Sequence, residues 1–190
     1  MCSSDLLSVL LADGSLLVTP SGLRKDELRA EDLLVVDPDG RALPHPRGLR
    51  PSSDLALHRA VYAARPDVVA YAHAHLASAM ALTLAGELPD PAELPETALF
   101  LPRLPAVPLM APGSEALARA VAAAFSAAPE PLPGAVLLER HGAVAVGSGE
   151  RGAPAAGALA TAVDRLELVD VLCRVWKDAL LLRAAREATT

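Results

Sequence analysis

Residues 68 to 75 read VVAYAHAH. The run is rich in Val and Tyr, which favours a strand. A strand sends side chains two apart to the same face, so His73 and His75 aim their imidazoles at one point. The chain has only five histidines. Two readings stand at this stage. Converging imidazoles hold a metal, or the pair is two unrelated surface or core histidines. The flanks set this strand between helices. Upstream, PSSDLALHRAVYAARPD reads as a helix, with Ser52 or Ser53 as its cap, Asp54 in its first turn and Pro66 as its stop. Downstream, LASAMALTLAG reads as a short helix ended by Gly86.

Further out, LLSVLLADGSLLVTPSG (6 to 22) predicts two strands around an Asp13-Gly14 turn. A short strand over Leu33 to Val36 precedes a second Asp-Gly turn. Residues 87 to 112 carry seven prolines and little periodicity. They predict a long irregular segment, the kind that serves a site or an interface. GSEALARAVAAAF predicts a helix capped by Ser114, with Glu115 in its first turn. AVLLERHGAVAVG (135 to 147) predicts two strands broken at Arg140-His141-Gly142. Leu159, Val163, Leu166, Val169, Cys173, Trp176 and Leu180 recur at three- and four-residue steps, one face of a long C-terminal helix. No repeat or boundary divides the 190 residues, so one domain is expected over 1–190.

Composition narrows the function. Seventeen Lys and Arg stand against 23 Asp and Glu, a net charge of −6. There is no basic stripe for nucleic acid, and Phe, Tyr and Trp total five. No apolar run approaches a membrane span. The first five residues lack the basic start and apolar core of a signal peptide. Cys2 and Cys173 cannot build a disulfide framework, so a cytoplasmic location is expected.

His141 is the third candidate ligand. A histidine between two apolar strands needs a polar partner or a metal, and the Gly after it lets the backbone turn without a Cβ penalty. Three imidazoles with one open position describe a catalytic zinc site better than a structural one. Asp54 is the fourth candidate. At the start of the helix that feeds the strand, its carboxylate either ligates a metal or moves protons beside it. The other reading is an acid that only complements the helix dipole.

The segments DGSLLVTPSG, DLLVVDPDG, RPSSDLALHRAVYAARPDVVAYAHAH, PGSEALARAVAAAF and LLERHGAVAVG, in that order, resemble the class II aldolase/adducin family. That family includes fuculose-phosphate aldolases and ribulose-phosphate 4-epimerases. The resemblance covers roughly residues 7 to 180. It implies a three-layer α/β/α fold with a mixed, mostly antiparallel central sheet. It implies a divalent metal, zinc first and Mn2+ or Co2+ as alternatives, on His73, His75 and His141. Asp54 becomes the catalytic acid/base. Ser21, Gly22, Ser52 and Ser53 become a phosphate cradle, where helix-start N–H groups favour an anion; for Ser53, capping and phosphate binding are compatible. The implied activity is a metal-dependent aldehyde-lyase making or breaking a C–C bond in a short sugar or sugar phosphate, through a metal-stabilised enediolate. The alternatives are pentulose-phosphate 4-epimerisation by retro-aldol chemistry and a non-catalytic, adducin-like binding protein. A homo-oligomer, a tetramer by resemblance, is implied as well, with the site near an interface. His58 and Tyr62 are read as packed residues, and Lys25 and Lys177 as surface residues.

Four departures from the family pattern stand out. The sequence starts almost at the family's first turn, so the family's N-terminal helix is expected to be lacking, and Asp5-Leu6 stands where Gly-Asn is usual, with only Ser8 kept. Asp54 replaces the aldolases' Glu and matches the 4-epimerase branch. Residues 87 to 112 contain no Tyr and no His, leaving Asp90, Glu93 and Glu96 as the acids there. The chain ends at REATT, with no Tyr or His in a tail. The metal centre therefore looks complete, while the phosphate cradle and the proton donors look altered.

Overall fold

In chain order the elements are β1 (Leu6–Leu10), β2 (Leu16–Val18), β3 (Leu34–Val36), α1 (Leu55–Ala64), β4 (Val68–Ala74), α2 (Ala77–Leu84), α3 (Pro95–Phe100), β5 (Ala106–Val107), α4 (Glu115–Ser126), β6 (Ala135–Leu138), β7 (Gly142–Ser148) and α5 (Ala156–Glu187). They come from a computed structural model that describes residues 6–127 and 129–189. The readings of Cys2 and Asp5 lie outside the described residues, as does the side chain of Lys25.

The strands form one mixed sheet in the order β3-β2-β1-β4-β7-β6-β5. Every pairing is antiparallel except β5 with β6. Local chemistry explains the first hairpin. Asp13 accepts from the Ser15 N–H at 2.9 Å and from the Ser15 hydroxyl at 2.6 Å, which closes the turn around Gly14. The fold is the expected three-layer α/β/α arrangement, with α1 and α4 on one face of the sheet and α2, α3 and α5 on the other.

β4 and β7 sit in the middle of the sheet, and β4 is buried along its whole length. Their sequences alternate large and small. Tyr71, Val144 and Val146 join the core under α1 and α4, while Ala72, Ala74, Ala143 and Ala145 face the α5 layer. The small residues let α5 come close. A Cβ built on Gly147 would fall 1.8 Å from the Ala158 carbonyl oxygen. On α5, Ala162, Leu166, Val169, Leu172 and Cys173 are buried, and Trp176 and Leu180 pack at the margin. Burial holds the Cys173 thiol up at about 12, so it is chemically inert. None of the described helices is long and apolar enough to cross a membrane.

Residues 87–112 correct one expectation. The segment is structured: a 3-10 turn over Pro91–Glu93, then α3, then β5 on the sheet edge. The prolines start these elements. Pro91 and Pro95 occupy first-turn positions, where a missing N–H costs nothing. Asp90 caps the turn by accepting from the Ala92 N–H at 2.9 Å, and the Thr97 hydroxyl donates to the Pro91 carbonyl at 2.6 Å.

Candidate metal centre

β4 positions the first two histidines. His73 lies opposite Leu6 of β1 and Val144 of β7, so it points toward the α1 side with Tyr71. His75 follows one residue past the strand's end. His141 ends the β6–β7 turn, whose Arg140 holds a left-handed φ of 58°. Gly142 lets this turn close on β4. Its φ is 122°, and a Cβ there would fall 2.2 Å from the Ala74 carbonyl oxygen and 2.9 Å from the His75 Cα. Any side chain at 142 would therefore push the turn away from the H-x-H strand end.

The result is a near-equilateral triangle of imidazoles. Ring centroids are 4.8 Å apart for His73 and His75, 4.9 Å for His73 and His141, and 5.0 Å for His75 and His141. One donor atom from each lies within 4.8 Å of the others. His73 is buried, and His75 and His141 are half-exposed. Burial, the largest cause, lowers the proton affinity of His141; the Asp54 charge opposes this and His75 adds to it. A neutral imidazole keeps its lone pair for a metal. Three imidazole donors at this spacing fit a divalent ion, which His73, His75 and His141 would hold.

Asp54 departs from its expected place. It is the N-cap residue of α1 rather than a first-turn residue, and neither it nor Ser53 caps the helix with a side chain. Ser52 instead accepts from the Asp54 N–H at 3.2 Å, because the chain makes a tight turn before the first helical residue. The Asp54 carboxylate is thus not spent on the helix end. Its Oδ1 is buried with no hydrogen-bond partner among the described residues. Asp54 lies outside the three-histidine group, yet close enough for its charge to act on His141 and Tyr71. Such a carboxylate is costly to bury alone.

Behind it lies a buried polar chain. The Tyr62 hydroxyl donates to the Ser8 carbonyl at 2.9 Å, and Ser8 Oγ sits 2.8 Å from Tyr62 Oη and 2.7 Å from His58 Nδ1. His58 stacks on Tyr71 with centroids 3.9 Å apart, and burial lowers its pKa to about 3. His58 and Tyr62 are therefore packed residues, and Ser8 belongs to this core contact.

The four cradle residues meet only in part. Ser21 donates its N–H and its hydroxyl to the Arg50 carbonyl, at 3.0 and 3.1 Å, which ties the Ser21-Gly22 loop to the segment before Ser52. The Ser21 hydroxyl hydrogen is thereby used. Ser52 acts as an acceptor in its bond with the Asp54 N–H, and Ser53 is exposed. Asp90 is spent as a cap, and Glu93 lines a cavity beside α5 together with Trp176 and Arg183. Glu96 is on α3, in the same layer, whereas His73 faces α1. Lys177 pairs with Asp178 on α5. Sequence reading passed over Thr83, whose hydroxyl accepts from the Arg140 N–H at 2.9 Å across 57 residues. The only local signal was a Thr near the end of a short apolar helix.

Residues 6–176 match the family model described as the Class II Aldolase and Adducin N-terminal domain. The crystal structure of L-fuculose-1-phosphate aldolase from Thermus thermophilus superposes with a TM-score of 0.75 at 30% identity, over 96% of this chain and 86% of that one. A methylthioribulose-1-phosphate dehydratase from Sorangium cellulosum is 41% identical over 43% of this chain and 38% of its own. A 3-oxo-tetronate 4-phosphate decarboxylase from Haemophilus influenzae is 34% identical over 75% of this chain and 66% of its own. The chain thus spans less than two thirds of these curated relatives, which also include L-ribulose-5-phosphate 4-epimerases. A match over nearly the whole sheet, which itself gathers the three histidines, makes the chain a member of the class II aldolase and adducin family.

Proposed function

We propose that the chain is a metal-dependent aldehyde-lyase that cleaves or forms a C–C bond in a short ketose or ketose phosphate. The observation that carries this is the Asp54 carboxylate, buried with one unpartnered oxygen and electrostatically coupled to His141 of the histidine triangle. When bound, a divalent metal, zinc first and Mn2+ or Co2+ as alternatives, supplies a Lewis acid for the ketone oxygen. His73, His75 and His141 would hold that ion. Asp54 moves the proton at the carbon beside the carbonyl: it takes the proton in the synthetic direction and returns it after cleavage. Ser52 and Ser53 offer hydroxyl hydrogens to a phosphate at the start of α1, where the helix end favours an anion. The protein works in this reading as a cytoplasmic homo-oligomer.

Epimerisation at C4 of a pentulose phosphate is the second reading, favoured by Asp at position 54 and by the 4-epimerase relatives. Tag-free protein loaded with Zn2+, Mn2+ or Co2+ and given a panel of ketoses and ketose phosphates separates the two. A lyase releases free aldehyde, and an epimerase only interconverts pentulose phosphates. Silence in both assays with metal bound supports the third reading, a binding protein that keeps the fold.

A further inference from the structure

We infer that Thr83 is a positioning residue for the third histidine: its buried hydroxyl fixes the β6–β7 turn in the arrangement that lays His141 beside His73 and His75. This rests on reading the three histidines as a metal site. The Arg140 backbone is left-handed, with a φ of 58°, a conformation an L residue with a side chain holds only when its surroundings impose it. Two anchors impose it here. Downstream, Gly142 presses against Ala74 and His75. Upstream, the Arg140 N–H donates to Thr83 Oγ1 at 2.9 Å. Thr83 is itself locked. Its own hydroxyl hydrogen goes to the Ala79 carbonyl at 2.9 Å, one turn back along α2, with the Met80 carbonyl at 3.2 Å, so the oxygen presents its acceptor side to the turn. Thr83 is only 6% exposed, so water does not readily replace its hydroxyl.

The placement links all three histidines. α2 begins at Ala77, two residues after His75, and carries Thr83 near its other end. One rigid helix therefore starts at the H-x-H pair and holds the turn that bears His141. The His141 N–H closes the same turn on the Leu138 carbonyl at 3.0 Å. With Thr83 removed, the Arg140 N–H loses its acceptor; the His141–Leu138 bond and the Gly142 contact with β4 still close the hairpin, but nothing ties its left-handed residue to α2, and His141 can shift relative to the other two imidazoles.

The test measures Co2+ affinity by competition with a chromophoric chelator in wild type, Thr83→Val and Thr83→Ser, with unfolding of the metal-free proteins measured alongside. Thr83→Val keeps the shape and loses the acceptor. Co2+ binding should weaken about 10- to 100-fold, the scale seen when a residue that orients a metal ligand is lost. Thr83→Ser keeps the hydroxyl and should restore most of the affinity. Wild-type affinity in a folded Thr83→Val would overturn the inference, whereas a wild type that binds no Co2+ would instead overturn the metal reading beneath it. If Thr83→Val does not fold, amide exchange in the wild type decides. A clamped Arg140 N–H exchanges only through opening of the α2–turn contact and is strongly protected; exchange at the rate of a free loop amide would end the argument.

Discussion

Replacing Gly142 by Ala tests whether the β6–β7 turn must touch the end of β4. Two costs follow from the backbone. A φ of 122° lies where side chains are disfavoured, a penalty of about 1–2 kcal/mol for an ordinary residue. The new methyl would also stand 2.2 Å from the Ala74 carbonyl oxygen, where real Cβ contacts stay beyond 3.0 Å. The strand end or the turn must then move by most of an ångström, and overpacking of this kind costs a further 1–3 kcal/mol or so. The expected loss in unfolding free energy is therefore about 2–5 kcal/mol. Gly86→Ala is the control. Its φ is 79°, but nothing lies within 4 Å of its Cβ position, so only the backbone part of about 1–2 kcal/mol remains. Urea or thermal unfolding of both metal-free variants gives the difference. Because His75 and His141 flank the collision, Gly142→Ala should also weaken Co2+ binding, and Gly86→Ala should not. Equal destabilisation in the two variants, with metal binding unchanged in both, would refute the close-approach reasoning.

Asp54→Asn should lower turnover by about a hundredfold or more, as loss of a general base does, with a change in unfolding free energy within about 1 kcal/mol; steady-state rates and unfolding on one sample check both, and retained activity removes Asp54 from the mechanism. The triple variant His73→Ala, His75→Ala, His141→Ala should lose the bound metal, expected at close to one ion per wild-type chain by elemental analysis of tag-free protein; unchanged content would place the ion elsewhere. His58, buried and neutral with a pKa of about 3 against the ordinary 6.5, ties stability to pH. Between those values the unfolded chain binds a proton that the folded chain refuses, so stability falls as pH drops below 6.5. Unfolding followed from pH 7 to pH 4 should show this slope, and it should be shallower in His58→Gln.

The strands and helices were legible where one local rule dominates. The Asp-Gly turn, the Ser114 cap and the three- and four-residue steps of α5 each depend on neighbours within a turn or two. The histidine triangle was legible because two of its members sit on one strand face and the third is marked by the Gly after it. Residues 87–112 were misread because prolines were counted as breakers, although Pro91 and Pro95 stand at element starts. Their placement depends on β6, some thirty residues on, which accepts β5 as a parallel neighbour. Thr83 was invisible for the same reason: its partner lies 57 residues away, and no local pattern announces a hydroxyl that accepts from a turn.

The alternation along β4 divides the work of the centre of the sheet. Tyr71 and His73 point to the α1 side, where the helix start brings Asp54 and where Ser8, His58 and Tyr62 fill the space behind. Ala72 and Ala74 point to the other side, where α5 lies on a floor of alanines continued by Ala143 and Ala145 of β7. The strand's imidazole and phenol thus lie on one face with Asp54, and the close packing that holds the strand in register lies on the other. A one-residue slip of β4 would turn both histidines toward α5 and press Ala72 and Ala74 into the space under α1. Both faces oppose that slip: the α5 floor has no room for imidazoles, and the α1 side would lose the Tyr71–His58 stack. The register that packs α5 is therefore the register that gathers His73 and His75, so the position of the site is enforced by apolar contacts far larger in number than its own polar ones.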